Sequence, residues 1–429
     1  MKIFKSNNSN VNLAYIYTSL ESFGHGIWMG NILSLYIVLF AESSNGIFGL
    51  SSNELLGVTA GVSGIAMTAI VFPAGFMADK YPRDLILRIS AFAGIFALFF
   101  LGIAHSIIMI LIALFLWGAF QGLSRPAFES ILADSLPTGF RSRTYSRLHL
   151  VRQLSMSAGP FLNVLLFIVF GDKWDITILK SVMYVGIGVS LLSTSVLFFF
   201  KNERSLGEES EALFQIDDSQ PDTEIKQQSH LAHKIPILLV ASNVLIGMGA
   251  GMSIKFFPVF FRSLYNLQPV AVQIIMGFTA VTTGFFGLIA QHFSLKRGRA
   301  KMIFAVQLTA TSCLIAIAFY PAIYFLVPLF ILRGALMNAA QPLSRSILMD
   351  VVPKKHRGKW NSVETVAWGL FWNASAVIGG FLIGDNNFQR CFFITAGIYL
   401  IGSIPIIMLI PLVKKERSNK ADQSLQDNL

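Results

Sequence analysis

Twelve stretches of mostly apolar residues, each long enough to cross a bilayer, leave this chain few ways to fold. A membrane's hydrocarbon core takes a helix of roughly 20 apolar residues. A helix satisfies its own backbone hydrogen bonds where there is no water to do so. Reading the runs between charge clusters, Pro and Gly predicts spans at 14–40, 55–78, 85–104, 107–134, 145–170 and 177–200, then at 236–261, 268–293, 302–320, 322–349, 360–384 and 390–413. The closest break falls at Tyr320-Pro321, between the ninth and tenth spans. Of 429 residues only 13% are charged and 54% are hydrophobic, against about 25% charged in a soluble domain. The expected fold is an all-α membrane protein.

Residues 201–235 differ in kind. They carry eight acidic residues, from Glu203 to Glu224, and few apolar ones, too little apolar surface to offset the entropy of ordering. The expected organisation is a polar N-terminus (1–13), a six-helix bundle (14–200), a linker (201–235), a second six-helix bundle (236–413) and a polar tail (414–429).

The net charge of +10 is not that of a nucleic-acid binder, because the basic residues sit in short clusters between apolar runs. Twenty-four Lys and Arg fall on one side of the predicted spans and four on the other, with five inside spans. By the positive-inside rule the richer side, which holds both chain ends and the linker, faces the cytoplasm. Cys313 and Cys391 lie within apolar runs, without metal-ligand spacing, and read as small buried hydrophobes. No metal or cofactor is expected. There is no G-x-x-x-x-G-K-[ST], H-E-x-x-H or G-x-S-x-G, so neither ATP-driven transport nor a hydrolase is indicated.

The two halves repeat at an offset of 216 residues. The segment Arg125-Pro126-Ala127-Phe128-Glu129-Ser130-Ile131-Leu132-Ala133-Asp134 matches Gln341-Pro342-Leu343-Ser344-Arg345-Ser346-Ile347-Leu348-Met349-Asp350. Gly118/Gly334, Pro137/Pro353 and Arg141/Arg357 agree at the same offset. Parallel repeats of six spans are a transporter architecture, with the site near the midplane between them.

Six plus six spans joined by a linker, with a charged turn after the second, resemble the major facilitator superfamily. That turn, Gly75-Phe76-Met77-Ala78-Asp79-Lys80-Tyr81-Pro82-Arg83, is similar to the family signature G-x-x-x-D-[RK]-x-G-[RK], with Pro82 in place of Gly. A second copy, Gly287 to His292, has Gln291 where Asp stands in the signature. Leu114 occupies the position of the family's span-4 Arg, and Gly159-Pro160 ends an antiporter-like signature with Asn163 where Gly is expected. The segment around Pro126 looks like drug-efflux-type and uncharacterised members more than sugar porters. The resemblance implies two pseudo-symmetric six-helix bundles, alternating access, a cavity lined by spans 1, 4, 7 and 10, proton coupling and no cofactor. It also implies that Asp79 meets the chain near Trp360–Ser362 when the cytoplasmic side closes.

Ionised side chains inside a membrane are costly and persist when paired or wet. Glu129 with Arg152, and Arg345 with Glu364, lie at matching depths and are expected to pair, with Arg125 able to share Glu129 from one turn away. Together with Asp79, Arg83, Asp134, Arg141, Asp350 and Arg357 they are candidate gating and packing residues near the basic face; the alternative is contact with substrate. Glu21 and His25 share a face of span 1, as a proton-coupling pair or a hydrogen-bonded structural one. Arg333, Lys255, Asn31, Trp28, Asn338 and Trp372 are candidate substrate contacts; for Arg333 the alternative is pairing with a buried acid or backbone carbonyls, and for the Trp and Asn residues it is interhelical packing. Five in-span cations face three in-span carboxylates, which points to an organic anion.

The expected function is a monomeric secondary transporter for a small drug-like or anionic solute in a lipid bilayer. The alternative is a transport-inactive relative serving as a receptor or assembly partner.

Overall fold

The computed structural model describes residues 8–44, 48–136, 141–205, 225–351 and 354–426, without the side chains of 78, 79, 141–143, 146, 225–233, 295, 349, 350, 354–368 and 414–426. Among the described residues lie fourteen α-helices: α1 (Ser9–Trp28), α2 (Asn31–Ser43), α3 (Ser52–Lys80), α4 (Arg83–Ile103), α5 (Ile107–Asp134), α6 (Arg141–Phe170), α7 (Ile176–Val196), α8 (Ile225–Ser253), α9 (Phe257–Tyr265), α10 (Pro269–Arg297), α11 (Arg299–Ala318), α12 (Ile323–Val351), α13 (Lys354–Ile383) and α14 (Phe388–Gln426). Eleven stretches of the described residues are long and apolar enough to cross a membrane, and Gly369–Ile383 of α13 adds a shorter apolar helix. The chain is a multi-pass membrane protein.

Two stretches read as single spans are each two helices. The first bends at Met29–Gly30, between α1 and α2, and the seventh at the 3-10 turn Ile254–Phe256, between α8 and α9. The other ten stretches are single helices. Tyr320 adopts φ +54° between α11 and α12, and the next residue, Pro321, has no amide proton to continue a helix. The helical tract α8 begins at Ile225, inside the stretch read as linker; residues 206–224 of that stretch lie outside the described residues. Similarly, α14 continues to Gln426, past the predicted end of its span.

Caps fix several helix starts. Ser51 and Glu54 form a capping box at α3, which satisfies two amides that the first turn leaves open. Asp175 accepts from the amides of Thr177 and Ile178 at α7. Many large apolar side chains point outward, Phe76 at 77% and Leu288 at 68% exposure. In lipid this costs nothing.

By packing, the chain falls into two compact units: Met1–Gln220 with Lys255–Gly277 and Ala376–Asn386, and Pro221–Ile254 with Phe278–Ser375 and Asn387–Leu429. In the first unit α5 packs on α3 and α4, and α1 on α6 and α7. In the second α11 packs on α12 and α14, and α8 on α14. The pairings α4 with α5 and α1 with α7 thus recur as α11 with α12 and α8 with α14.

The glycines of the repeat explain themselves. A Cβ on Gly118 of α5 would stand 2.2 Å from the Ser63 carbonyl oxygen of α3, and one on Gly334 of α12 would stand 2.7 Å from the Thr279 methyl of α10. At Gly118, against backbone, only hydrogen lets the helices approach so closely; at Gly334 the neighbour is a side-chain methyl.

Candidate functional site

A polar cluster collects in the first unit around the end of α1. Glu21 and His25 lie one turn apart on α1, both partly exposed. The imidazole lies within electrostatic reach of Glu21, Arg125 on α5, Arg152 on α6 and Lys255 in the 3-10 turn of the seventh span. Tyr17, one turn before Glu21, lies within electrostatic range of Glu21, Arg125 and Arg152 as well. Three cations and one carboxylate thus lie within electrostatic range of the imidazole. The Nδ1 atom of His25 is buried without a hydrogen-bond partner.

The cluster lies where the helices break. His25 ends α1 four residues before the break, and Asn31, partly exposed, begins α2 just after it. Lys255 sits inside the second break, where Pro258 restarts the helix as the second residue of α9. Interrupted helices in matching spans of two repeats are a pointer to a solute site, because the break presents free backbone groups. Sequence reading missed both breaks; Gly30 and Pro258 were the available signals.

Other candidates are placed differently. Trp28 is fully buried; its indole nitrogen donates to Ser190 Oγ at 2.9 Å and its ring meets Trp117 edge-on. Arg333 is 3% exposed and donates to Ser253 Oγ at 3.3 Å and Tyr399 Oη at 3.1 Å within the second unit. These two are held in helix packing. Asn338 is exposed and donates to the Gly334 carbonyl of its own helix. Trp372 is partly exposed, and its carbonyl stands 2.0 Å from where a Cβ on Gly251 would lie.

The expected pair of Glu129 with Arg152 does not form: the ion pairs among the described residues do not include it. Arg125, Glu129 and Arg152 are all exposed, so neither Glu129 nor Arg152 is turned into the packing between their helices. The ion pair near the basic face is Arg83 with Asp134, joining the start of α4 to the end of α5. At the 216-residue offset Arg83 corresponds to Arg299, which donates to Ser346 Oγ at 2.6 Å. Arg345 is exposed. The side chains of Asp79, Arg141, Asp350, Arg357 and Glu364 lie outside the described residues, and with them the expected Arg345–Glu364 pair and the meeting of Asp79 with Trp360–Ser362.

At the opposite end of the first unit, Glu42 takes both guanidinium nitrogens of Arg262, at 2.9 and 2.7 Å. Asp172 accepts from the amide of Val270, capping α10, and Trp174 Nε1 donates to the Leu267 carbonyl. Asn53 donates to the Gly384 carbonyl at 2.8 Å. Among the described residues no group of three or more His, Cys, Asp or Glu could hold a metal ion.

The family model described as the Major Facilitator Superfamily matches residues 26–233 and 239–427. The niacin transporter NiaP of Acinetobacter baylyi is 25% identical over 142 residues, 33% of this chain and 30% of that protein. A Na(+), Li(+), K(+)/H(+) antiporter of Planococcus maritimus is 25% identical over 203 residues, 44% of this chain and 45% of that one. The matches thus span less than half of either curated relative. Among solved structures, a bacterial homolog of the human lysosomal transporter Spinster, in an inward-facing, unoccupied conformation, is similar with a TM-score of 0.71 at 12% identity, covering 96% of this chain and 99% of that one. A bacterial homologue of the iron transporter ferroportin gives 0.68 at 14%, covering 94% and 99%. A D-xylose–proton symporter gives 0.67 at 15%, covering 92% and 95%. These likenesses show the fold.

Proposed function

Because the chain belongs to the Major Facilitator Superfamily, a family of transporters and not of enzymes, we propose that it moves a small organic anion across a membrane by proton-coupled alternating access, with both termini in the cytoplasm. One observation carries the anion: Arg125, Arg152 and Lys255 all lie within electrostatic range of His25, with Glu21 as the carboxylate among them. With the imidazole neutral, three positive charges meet one negative. A carboxylate brought to about 4 Å from one such cation gains roughly 4 kcal/mol at an effective dielectric of 20. The helices that restart after the two breaks add the positive ends of their dipoles.

Proton coupling rests on the same place. His25 is the side chain type that titrates near neutrality, and Glu21 stands one turn away. A proton on His25 and an anion beside it offset each other's charge, so the two are expected to enter and leave together. Topology follows from the 24-to-4 distribution of basic residues, since such loops stay in the cytoplasm.

The test is a thermal-shift screen of the purified protein against organic anions, sugars, amino acids and cationic drugs. The name of one distant relative makes nicotinate a sensible first member. A ligand at 100 times its Kd stabilises the folded state by about 2.7 kcal/mol. Stabilisation by anions, lost in Lys255→Gln and followed by pH-driven uptake in proteoliposomes, is the expected result. Stabilisation confined to neutral or cationic compounds would remove the anion reading. Absence of flux for every stabilising compound would favour a receptor.

A further inference from the structure

Asn163 of α6 stands where the resembling signature has Gly, and its surroundings give it a specific task. A helix break deprives carbonyls of their regular amide partners. The Ile27 carbonyl, two residues before the break in the first span, accepts from Asn163 Nδ2 at 2.9 Å. The same nitrogen reaches Gln273 Oε1 of α10 at 3.3 Å. Both side chains are fully buried, and Asn163 Oδ1 and Gln273 Nε2 lack hydrogen-bond partners. Close contacts flank this junction. A Cβ on Gly159 would meet the Gly26 backbone at 2.3 Å, and one on Gly277 would meet the Phe161 ring at 2.9 Å. α6 is therefore wedged between the end of α1 and the start of α10.

We propose that Asn163 is a positioning residue: its carboxamide clasps the broken first span to α10, so that the break that sets His25 is held while α10 lies against α6. When α10 leaves, Gln273 leaves with it, and Asn163 loses the partner that orients its amide toward Ile27. The two unmet polar atoms favour release, since each finds water once α10 parts from α6. A solute beside His25 and Lys255 acts on the same break, and the clasp passes its effect to the contact of α6 with α10. That last step rests on the transporter reading; the clasp itself does not.

The experiment needs no solute. Val272, next to Gln273, is fully buried, as are both native cysteines. Val272→Cys protein in proteoliposomes is labelled with a membrane-impermeant maleimide, alone and with Asn163→Ala, with Gln273→Met, and with both. The clasp predicts labelling several-fold faster in each single variant and, in the double, no faster than in Asn163→Ala alone, because that change already removes the contact with Gln273. A purely structural Asn163 gives effects that multiply. Unchanged rates in the single variants, or multiplied rates in the double, overturn the proposal. Should Asn163→Ala not be isolated as a monodisperse protein, Gln273→Met decides alone, and an unchanged rate overturns the clasp. Labelling that behaves as expected while no anion binds leaves the clasp standing and removes only the anion.

Discussion

Arg262 meets Glu42 in a two-pronged ion pair, nitrogen to oxygen at 2.9 and 2.7 Å, tying α9 to the end of α2. Bidentate geometry is the strong form of this contact, but the pair is partly exposed, at 20% and 45%. Its contribution is therefore about 1 kcal/mol or less, enough to bias an equilibrium between nearly balanced conformations. Spin labels at Ser44 and Gln268 should give one distance in the wild type. A second, longer population is expected in Glu42→Gln and Arg262→Gln, and the double exchange Glu42→Arg with Arg262→Glu should suppress it. High salt should enlarge the longer population of the wild type. A single distance in every variant would deny the pair any part in closure.

Arg83 and Asp134 make the corresponding contact near the basic face. Both are part-exposed, so loss of either is expected to change stability by less than about 1 kcal/mol. Their effect should appear in turnover. Arg83→Gln and Asp134→Asn should each slow uptake, and the double variant should be no slower than the worse single. Multiplying losses would mean that the two residues act separately.

Gly118 and Gly334 are equivalent in the repeat and unequal in consequence. An alanine at 118 drives its Cβ into a backbone carbonyl, while one at 334 meets a threonine methyl that can turn away. Gly118→Ala should lower stability by roughly 1–3 kcal/mol, the range for overpacking, and Gly334→Ala by clearly less. Thermal unfolding in detergent measures both; equal losses would contradict the close approach at Ser63.

Arg333 and Lys255 should separate stability from binding. Arg333 is buried and bonded to Ser253 and Tyr399, and removing a partner of a buried charged donor costs about 1.5–3 kcal/mol. Tyr399→Phe should lower the melting temperature with anion affinity intact. Lys255→Gln should do the reverse. Loss of affinity without loss of stability in Tyr399→Phe would return Arg333 to the solute path.

His25→Gln should flatten the pH dependence of uptake between about pH 5 and 8, where an imidazole changes charge, while leaving counterflow exchange of solute intact. A wild-type pH profile in this variant would place the coupling group elsewhere.

The Asn at 163 shows where reading residues in order succeeds and where it stops. Its departure from the resembling signature is visible in the sequence; that its amide holds the Ile27 carbonyl is not, because the contact joins positions 136 apart on two helices. The pair expected between Glu129 and Arg152 failed for a related reason. Equal depth along two helices does not set how each is rotated, and both side chains turn to exposed faces.

What the amino-acid order determined by itself was everything that depends on run length, periodic spacing and charge count. Twelve apolar stretches, two similar halves and the clustering of basic residues follow from the thickness of the lipid core and from local chain chemistry, with no knowledge of neighbours. Only the tertiary structure decided where two of those stretches break, that Trp28 and Arg333 are enclosed in packing, that Arg83 takes Asp134, and that Arg125, Arg152 and Lys255 share one neighbourhood with His25. Those outcomes depend on how helices distant in sequence are rotated and docked, and on close glycine crossings such as Gly26 on Gly159, where the energy of a contact belongs to the pair and to neither residue alone.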